Sequence, residues 1–345
     1  MAEQTGRQTA IAAAALGVGA AIIAWEAARR RRALDFRDRV VLITGGSRGL
    51  GFVLARQLAE KGARLALVAR TADDLEAAAA KLREAGADVL TVAADVGVRE
   101  QAFDAVRQVV ERFGGVDVLI NNAGIIQVGP VQHMQYEDFQ QAMAVHFWGP
   151  LHTILAARPH LAARGGRIVN IASIGGRVAV PHLAPYSASK FALVGLSESL
   201  RAELVRENIL VTTVSPGLMR TGSPLRAGMK GKHEAENTWF TISDSLPLVS
   251  ISAERAAAKI IEACRYGDPE LTFTPQARLA FALHGIAPGL VMRLMTLANW
   301  LLPSPTGPDG DRVREGRDSE TLLTRSPLTA LTRAAALQNN ERVSE

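Results

Sequence analysis

Short apolar runs alternate with longer segments of helical periodicity from Asp38 to Phe273, and this alternation restricts the fold more than any other feature. Runs that are apolar at nearly every position predict strands covered on both faces. The predicted strands are Val40–Thr44, Arg64–Ala69, Asp88–Ala93, Val116–Asn121, Arg167–Ala172, Leu210–Ser215 and Glu270–Thr274. The predicted helices are Leu50–Lys61, Asp73–Glu84, Arg99–Phe113, Tyr136–Ala163, Ser187–Arg206 and Ala253–Tyr266. Such strict alternation indicates an α/β domain built on a parallel, doubly wound sheet.

The composition limits the possible classes of protein. A chain of 345 residues with 48% hydrophobic residues predicts one α/β domain with extensions and excludes a disordered chain. A single cysteine, Cys264, excludes a disulfide framework and a cysteine-based metal site, and it indicates a reducing compartment. Because no cluster has the usual ligand spacing, the sequence predicts no metal site.

A glycine-rich turn joins the first predicted strand to the first predicted helix. Gly45, Gly49 and Gly51 allow the backbone to approach a phosphate group closely, and they allow the helix to pack against the sheet. The free amides at the start of the helix then face the anion. A glycine pattern in this setting predicts a dinucleotide site.

The second predicted strand indicates which dinucleotide binds. It ends at Arg70, with no acidic residue beside it to bind the ribose hydroxyls of NAD. Arginine pairs with the additional phosphate of NADP, and Arg48 within the glycine loop can assist. The sequence therefore predicts NADP(H) as the cofactor.

Three further residues have the pattern of an acid–base site. Ser173 follows the strand predicted at Arg167–Ala172, and Tyr186 and Lys190 lie one helical turn apart. We expect the lysine charge to lower the pKa of the phenol, which makes Tyr186 a usable general acid or base. Ser173 is then placed to hydrogen-bond a substrate carbonyl.

Together these motifs resemble the short-chain dehydrogenase/reductase family, over about Asp38 to Phe273. The resemblance implies a Rossmann-like fold with a seven-stranded parallel sheet, and hydride transfer between the cofactor and a substrate carbon. It implies catalytic roles for Ser173, Tyr186 and Lys190, with Lys190 also holding the nicotinamide ribose. The cofactor-binding residues implied by the matching motifs, together with the two arginines, are Gly45, Ser47, Arg48, Gly49, Leu50, Gly51, Arg70, Asp95, Val96, Asn122, Ala123, Gly124, Tyr186, Lys190, Pro216, Gly217 and Thr221.

One position departs from the family pattern. His146 stands where the family usually has an asparagine that supports a proton relay to the lysine. Histidine can donate and accept through its two ring nitrogens, so it can preserve the relay. The alternative is a histidine packed within its helix.

The first 33 residues form an apolar leader followed by an arginine block. Residues 8–25 carry no charge, and Arg29, Arg30, Arg31 and Arg32 come shortly afterwards. Such an order predicts an uncleaved membrane anchor that keeps the following domain in the cytoplasm. The leader could span the bilayer, lie on it, or pack as an ordinary helix of a soluble protein. The arginines lack interleaved aromatic residues, which argues against nucleic acid as a partner.

The remaining segments suggest what the protein acts on. Residues 218–250, with Trp239 and Phe240, predict a loop that forms a lid over the substrate site. Residues 275–303 are apolar and predict a helical extension, either a helix pair that covers the core or a surface that enters lipid. Residues 304–345 predict a loose polar tail, with one last helix starting at Ser326. We therefore expect a small lipophilic carbonyl or alcohol substrate.

Two expectations concern assembly and activity. Relatives of the family often pair through their long helices, here Tyr136–Ala163 and Ser187–Arg206, which implies a possible homodimer. The alternative to an enzyme is an NADP-binding regulator or scaffold without turnover, and the complete Ser173, Tyr186 and Lys190 set argues against it.

Overall fold

The computed structural model describes residues 23–246 and 250–341, so most of the predicted leader lies outside the described residues. Seven strands form the central sheet in the order β11-β7-β6-β4-β1-β2-β3, and all neighbouring strands are parallel. The strands are β1 (Val40–Thr44), β2 (Arg64–Ala69), β3 (Val89–Ala93), β4 (Val118–Asn121), β5 (Gln127–Val128), β6 (Arg167–Ile171), β7 (Leu210–Val214), β8 (Leu218–Arg220), β9 (Gly228–Met229), β10 (Ser250–Ser252), β11 (Glu270–Leu271) and β12 (Arg314–Glu315). The predicted doubly wound, seven-stranded parallel sheet is confirmed.

The helices cover both faces of this sheet. They are α1 (residues 23–31), α2 (Gly49–Ala59), α3 (Ala72–Glu84), α4 (Arg99–Phe113), α5 (Tyr136–Met143), α6 (Gly149–Arg164), α7 (Ala184–Leu204), α8 (His233–Ser245), α9 (Ala253–Tyr266), α10 (Pro275–Ile286), α11 (Pro288–Asn299) and α12 (Ala330–Gln338). Because side chains alternate along a strand, Val41 and Ile43 face one core and Val40 and Leu42 face the other.

The helix predicted at Tyr136–Ala163 is divided in the structure. A π-helical turn, Ala144–Trp148, separates α5 from α6 and contains His146. Such turns interrupt the regular helical hydrogen bonds and are frequent at functional sites. The apolar periodicity on either side continues through the turn, which is why the sequence predicted one helix.

The segment predicted as a lid loop is largely folded. Strand β8 pairs with β10, strand β9 pairs with β5 and β12, and helix α8 follows. Asn237 on α8 donates hydrogen bonds to the carbonyl oxygens of Gly316 (3.0 Å) and Ser319 (2.9 Å). Helix α8 is therefore joined to the C-terminal segment through Asn237.

The apolar extension forms a helical hairpin of α10 and α11, which Pro288 separates as expected. Only Ala277 and Val291 of these helices are buried, so the hairpin does not serve as a cover for the core. Large apolar side chains remain exposed along it and just after it. They are Leu279, Ile286, Leu290, Met292, Leu294, Leu297, Trp300 and Leu301.

The C-terminal segment, residues 304–341, is packed against the domain and is not a loose tail. Ser326 caps a short helical turn, as predicted, and α12 follows it. Ser245 and Thr332 hydrogen-bond each other at 2.8 Å, and this contact joins α12 to α8. The segment then reaches the glycine loop after β1.

The arginine block is partly bound to the domain. Arg29 forms two hydrogen bonds with the Asp268 carboxylate, both 2.8 Å, and its guanidinium lies 3.9 Å from the Tyr266 ring centroid. No helix within residues 23–246 and 250–341 is long and apolar enough to cross a membrane.

Candidate active site

One cavity of about 570 Å³ brings together nearly all of the predicted site residues. It lies at the carboxyl ends of the strands, where β1 and β4 are neighbours and the strand order reverses. Crevices at such a switch point bind ligands in open α/β sheets. The cavity wall contains Ser47, Leu50, Asp95, Val96, Asn122, Ala123, Gly124, Pro216, Gly217 and Thr221, together with the residues discussed below.

The glycine loop is shaped for close approach of a ligand. Gly45 has φ of +65°, and a Cβ atom there would lie 2.8 Å from the Cα atom of Ala123. Asn122 holds the loop, since its side-chain nitrogen donates to the carbonyl oxygens of Thr44 (3.1 Å) and Gly45 (3.0 Å). Backbone surface without side chains at this point fits a dinucleotide phosphate.

Gly51 is the one predicted cofactor residue that does not line the cavity. A Cβ atom at Gly51 would lie 2.1 Å from the Gly45 carbonyl oxygen, so its role is to let helix α2 pack against the loop. This is the part that the third glycine plays in such loops.

The two arginines predicted to select NADP(H) both line the cavity, but their surroundings differ. Arg70 is exposed at the end of β2. The Nη1 atom of Arg48 lies 3.1 Å from the Asp74 carboxylate, and its Nε atom lies 3.4 Å from Glu341. Asp74, in the first turn of α3, was not predicted as a site residue, because no motif marks it and only the fold brings it to the cavity.

The three catalytic candidates meet at the other end of the cavity. Ser173 and Tyr186 both line this end of the cavity, and the Ser173 hydroxyl lies near enough to the phenol to affect its pKa. The Nζ atom of Lys190 donates to the carbonyl oxygen of Ile171 at 2.7 Å and lies 5.7 Å from the Tyr186 ring centroid. The Tyr186 phenol therefore has Ser173, which follows β6, and Lys190, one turn further along α7, as its neighbours.

The acid–base properties of this group differ from the expectation. Burial raises the pKa of Tyr186, against a lowering by the hydrogen bond from Ser173. Burial also lowers the pKa of Lys190 to about 7. The expected lowering of the phenol pKa by Lys190 is not found, and burial has the largest effect on the Tyr186 pKa.

His146 uses both ring nitrogens within the protein. Its Nε2 atom accepts a hydrogen bond from the Ile125 amide at 3.1 Å, and its Nδ1 atom lies 2.7 Å from the Ser189 hydroxyl oxygen. Burial, followed by the nearby charge of Lys190, holds the His146 pKa well below its ordinary value. A neutral imidazole with these two partners fits the packed alternative and fixes the loop after β4 to helix α7.

Apolar side chains line the cavity around the phenol. Ile126, Val180, Leu183, Trp239 and Phe240 belong to one cluster that includes Tyr186, and all of them line the cavity. Two acids of the cavity wall, Asp244 and Glu341, had no motif that could have identified them. Both lie in polar sequence far from the recognisable motifs.

Three comparisons describe what this chain is similar to. The model of the family described as "short chain dehydrogenase" matches residues 39–228. An Arabidopsis thaliana protein, "11-beta-hydroxysteroid dehydrogenase-like 4A", is 35% identical over 256 residues, which cover 74% of this chain and 82% of the relative.

Solved structures share the fold. L-sorbose reductase from Gluconobacter frateurii, complexed with NADPH and L-sorbose, is 29% identical and has a TM-score of 0.63, with 70% of this chain and 97% of that chain covered. A short chain dehydrogenase/reductase from Burkholderia phymatum in complex with NAD is 25% identical and has a TM-score of 0.68, with 74% and 96% covered.

Proposed function

The chain belongs to the short-chain dehydrogenase family, and we propose that it is an NADP(H)-dependent oxidoreductase that interconverts a carbonyl group and an alcohol on a lipophilic substrate. The placement of Ser173, Tyr186 and Lys190 at one end of a cavity whose other end is a glycine loop carries this proposal. An acid–base pair within reach of a dinucleotide site is the arrangement that carbonyl reduction requires.

Each side chain has a separate part in the proposed reaction. Bound NADP(H) supplies the hydride that moves to the substrate carbon. Ser173 orients the carbonyl oxygen, and the Tyr186 phenol gives it a proton as negative charge develops. Because burial raises its pKa, Tyr186 keeps its proton at neutral pH, which suits reduction of a carbonyl. Lys190 would hold the nicotinamide ribose.

The preference for NADP(H) is supported by Arg48 and Arg70 at the cavity wall. Asp74 opposes it, since an acid near the adenosine end favours ribose hydroxyl groups over a phosphate. We propose that Arg70 decides in favour of the phosphate, because it is exposed and forms no ion pair with an acid among the described residues. The dissociation constants of NADPH and NADH, measured by calorimetry on the purified chain, test the preference directly.

The lipophilic substrate is supported by the apolar cluster around Tyr186. Oxidation of NADPH, monitored by absorbance over a panel of ketones that range from short sugars to acyl and sterol-like compounds, tests both activity and substrate class. Faster turnover of the apolar ketones supports the proposal. Cofactor binding without turnover of any ketone or alcohol favours the alternative, a regulator or scaffold.

We also propose that the protein lies at a membrane, with its catalytic domain on the cytoplasmic side. The exposed apolar hairpin of α10 and α11 supports this, together with the exposed Arg31 and Arg37. Fractionation of cells that express the chain with and without residues 1–33 tests the contribution of the leader. If both forms are equally soluble without detergent, the leader is not an anchor and the soluble alternative holds.

A homodimer is proposed through the long helices. Trp148, Leu155 and Phe191 are large apolar residues on or beside α6 and α7 that remain 40–47% exposed. Covering such residues with a second copy removes apolar surface from water. Sedimentation analysis of the parent and of Leu155→Asp tests the proposal, because the charged variant should shift the protein toward the monomer.

A further inference from the structure

Three consecutive residues of the C-terminal segment reach the glycine loop. The carbonyl oxygen of Asn339 accepts a hydrogen bond from the Gly49 amide at 2.7 Å. The side-chain nitrogen of Asn340 donates to the Ser47 carbonyl oxygen at 2.9 Å, and its side-chain oxygen accepts from Lys81 at 2.8 Å. These contacts fix the segment Asn339–Glu341 against the part of the loop that is shaped for phosphate.

Glu341 forms part of the cavity wall itself. Its side chain is only 5% exposed, and a Cβ atom at Gly49 would lie 2.7 Å from its Oε1 atom. Its Oε2 atom lies 3.4 Å from Arg48 Nε and has no hydrogen-bond partner among the described residues. A buried carboxylate oxygen without a hydrogen bond is costly, so this group gains from a proton or from a change of position.

The charges around Glu341 bear directly on phosphate binding. Arg48 and Arg226 attract the carboxylate, while Asp74 repels it. Arg48 attracts the pyrophosphate of a dinucleotide for the same reason that it attracts Glu341, and the Glu341 carboxylate lies against Gly49 of the loop that is shaped for phosphate. An ionised Glu341 and a bound pyrophosphate would therefore be two anions in the same part of the cavity, and they would repel each other.

We infer that Asn339–Glu341 belong to the dinucleotide site, and that the Glu341 carboxylate lowers cofactor affinity by competing with the cofactor phosphates for Arg48 and the glycine loop. The inference rests on the proposed function, since it assumes that a dinucleotide binds. It adds a residue that sets the strength of binding and that lies outside every motif of the glycine loop.

If Glu341 competes with the cofactor phosphates, cofactor affinity should depend on pH in a way that differs from a site formed by arginines alone. Burial raises the pKa of Glu341 to about 7, with Arg48 and Arg226 opposing the rise and Asp74 adding to it. Protonation below that pH removes one negative charge from the site. Affinity should increase as the pH falls through this range, and NADH shows the effect most clearly because it lacks the 2′-phosphate, which titrates near pH 6.

The experiment compares Glu341→Gln with a matched control, Glu320→Gln. Glu320 is another carboxylate of the C-terminal segment, paired with Arg325 at 3.2 Å and outside the cavity wall. Dissociation constants of NADPH and NADH are measured by calorimetry at about pH 8 and pH 6. We expect Glu341→Gln to bind both cofactors about three- to tenfold more tightly at the higher pH, with a smaller gain at the lower pH. The control should match the parent at both values.

The outcomes separate this inference from the proposed function. Binding of both cofactors by the parent, with Glu341→Gln unchanged or weaker, overturns the inference and leaves the proposed function standing. A parent that binds neither cofactor overturns both. Should Glu341→Gln fail to fold, Glu341→Asp decides: its shorter side chain withdraws the carboxylate from Arg48, so tighter binding of both cofactors than by the parent at about pH 8 supports the inference, and equal or weaker binding contradicts it.

Discussion

The two ends of the cavity differ in how their charged and titratable groups are paired. At the catalytic end, burial raises the pKa of Tyr186 and lowers the pKa values of Lys190 and His146, so each group is driven toward its neutral form. At the phosphate end, Arg48 forms ion pairs with Asp74 and Glu341. The difference indicates that removal from water adjusts the pKa values of the groups for proton transfer. At the site proposed for the cofactor phosphates, by contrast, Arg48 would exchange its acidic partners for the ligand.

The strongest test of the catalytic end is Tyr186→Phe. Loss of a general acid typically costs about 10²- to 10⁴-fold in rate, so we expect turnover to fall by that range while NADPH affinity changes little. Stopped-flow kinetics and calorimetry measure the two quantities separately. Tyr136→Phe is the control, because Tyr136 is 71% exposed. Turnover that survives in Tyr186→Phe would assign the proton to another group.

At the phosphate end, Arg70→Ala should act on binding and leave chemistry intact. Loss of a charge partner for the 2′-phosphate should weaken NADPH about tenfold or more, with little effect on NADH. Dissociation constants for both cofactors measure the difference, and Arg107→Ala, an exposed residue outside the cavity wall, is the control. Equal effects on the two cofactors would contradict the assignment of Arg70 and would favour NAD.

A substitution of His146 should lower turnover less than the loss of Tyr186 does. His146→Ala removes the partners of the Ile125 amide and the Ser189 hydroxyl, so we expect turnover to fall about three- to tenfold with NADP(H) affinity nearly unchanged. His146→Asn, which restores the usual residue of the family, should recover part of the loss. A positioning role predicts the same decrease across pH 6–9. Turnover within twofold of the parent throughout this range would exclude both the positioning role and the relay.

The smallest expected effect concerns Asp244, a buried acid on the cavity wall. Burial raises its folded-state pKa to about 8, against about 3.9 in an unfolded chain. The folded state therefore holds a proton that the unfolded state releases, and stability falls as the pH rises from about 4 to 8. Asp244→Asn should raise the melting temperature most at or above pH 8 and little near pH 4. An equal shift at all pH values would show that Asp244 is not neutralised by burial.

The sheet and its helices could be predicted almost completely from local pattern. Val40–Thr44, Arg99–Phe113 and Ala253–Tyr266 were predicted with the bounds that the structure shows. The last strand was predicted too long, because the Thr274 hydroxyl instead accepts a hydrogen bond from the Ala277 amide and caps α10. Apolar periodicity identifies helices and strands well. It does not reveal where a capping side chain starts a helix and so shortens the strand before it.

The site was predictable only where a motif lies within a few residues. The spacing of Tyr186 and Lys190 shows that they share a helix face. It does not show that Lys190 is buried and donates a hydrogen bond to the Ile171 carbonyl oxygen. Contacts between residues that are far apart in the sequence could not be predicted, because no local sequence pattern indicates them. Asn340 and Ser47 are 293 positions apart, and nothing in the polar sequence around Asn340 indicates a partner in the glycine loop.

That separation also determines the order in which the site is assembled during synthesis. At about 5–20 residues per second, Asn340 leaves the ribosome roughly 15–60 s after Ser47. After β11 has been made and before Asn340 follows, all strands of the sheet are available and the glycine loop is not yet covered by the C-terminal segment. The nascent chain therefore has a period in which a dinucleotide can enter without displacing Glu341, and a cofactor taken up then would be enclosed as the C-terminal segment folds over it.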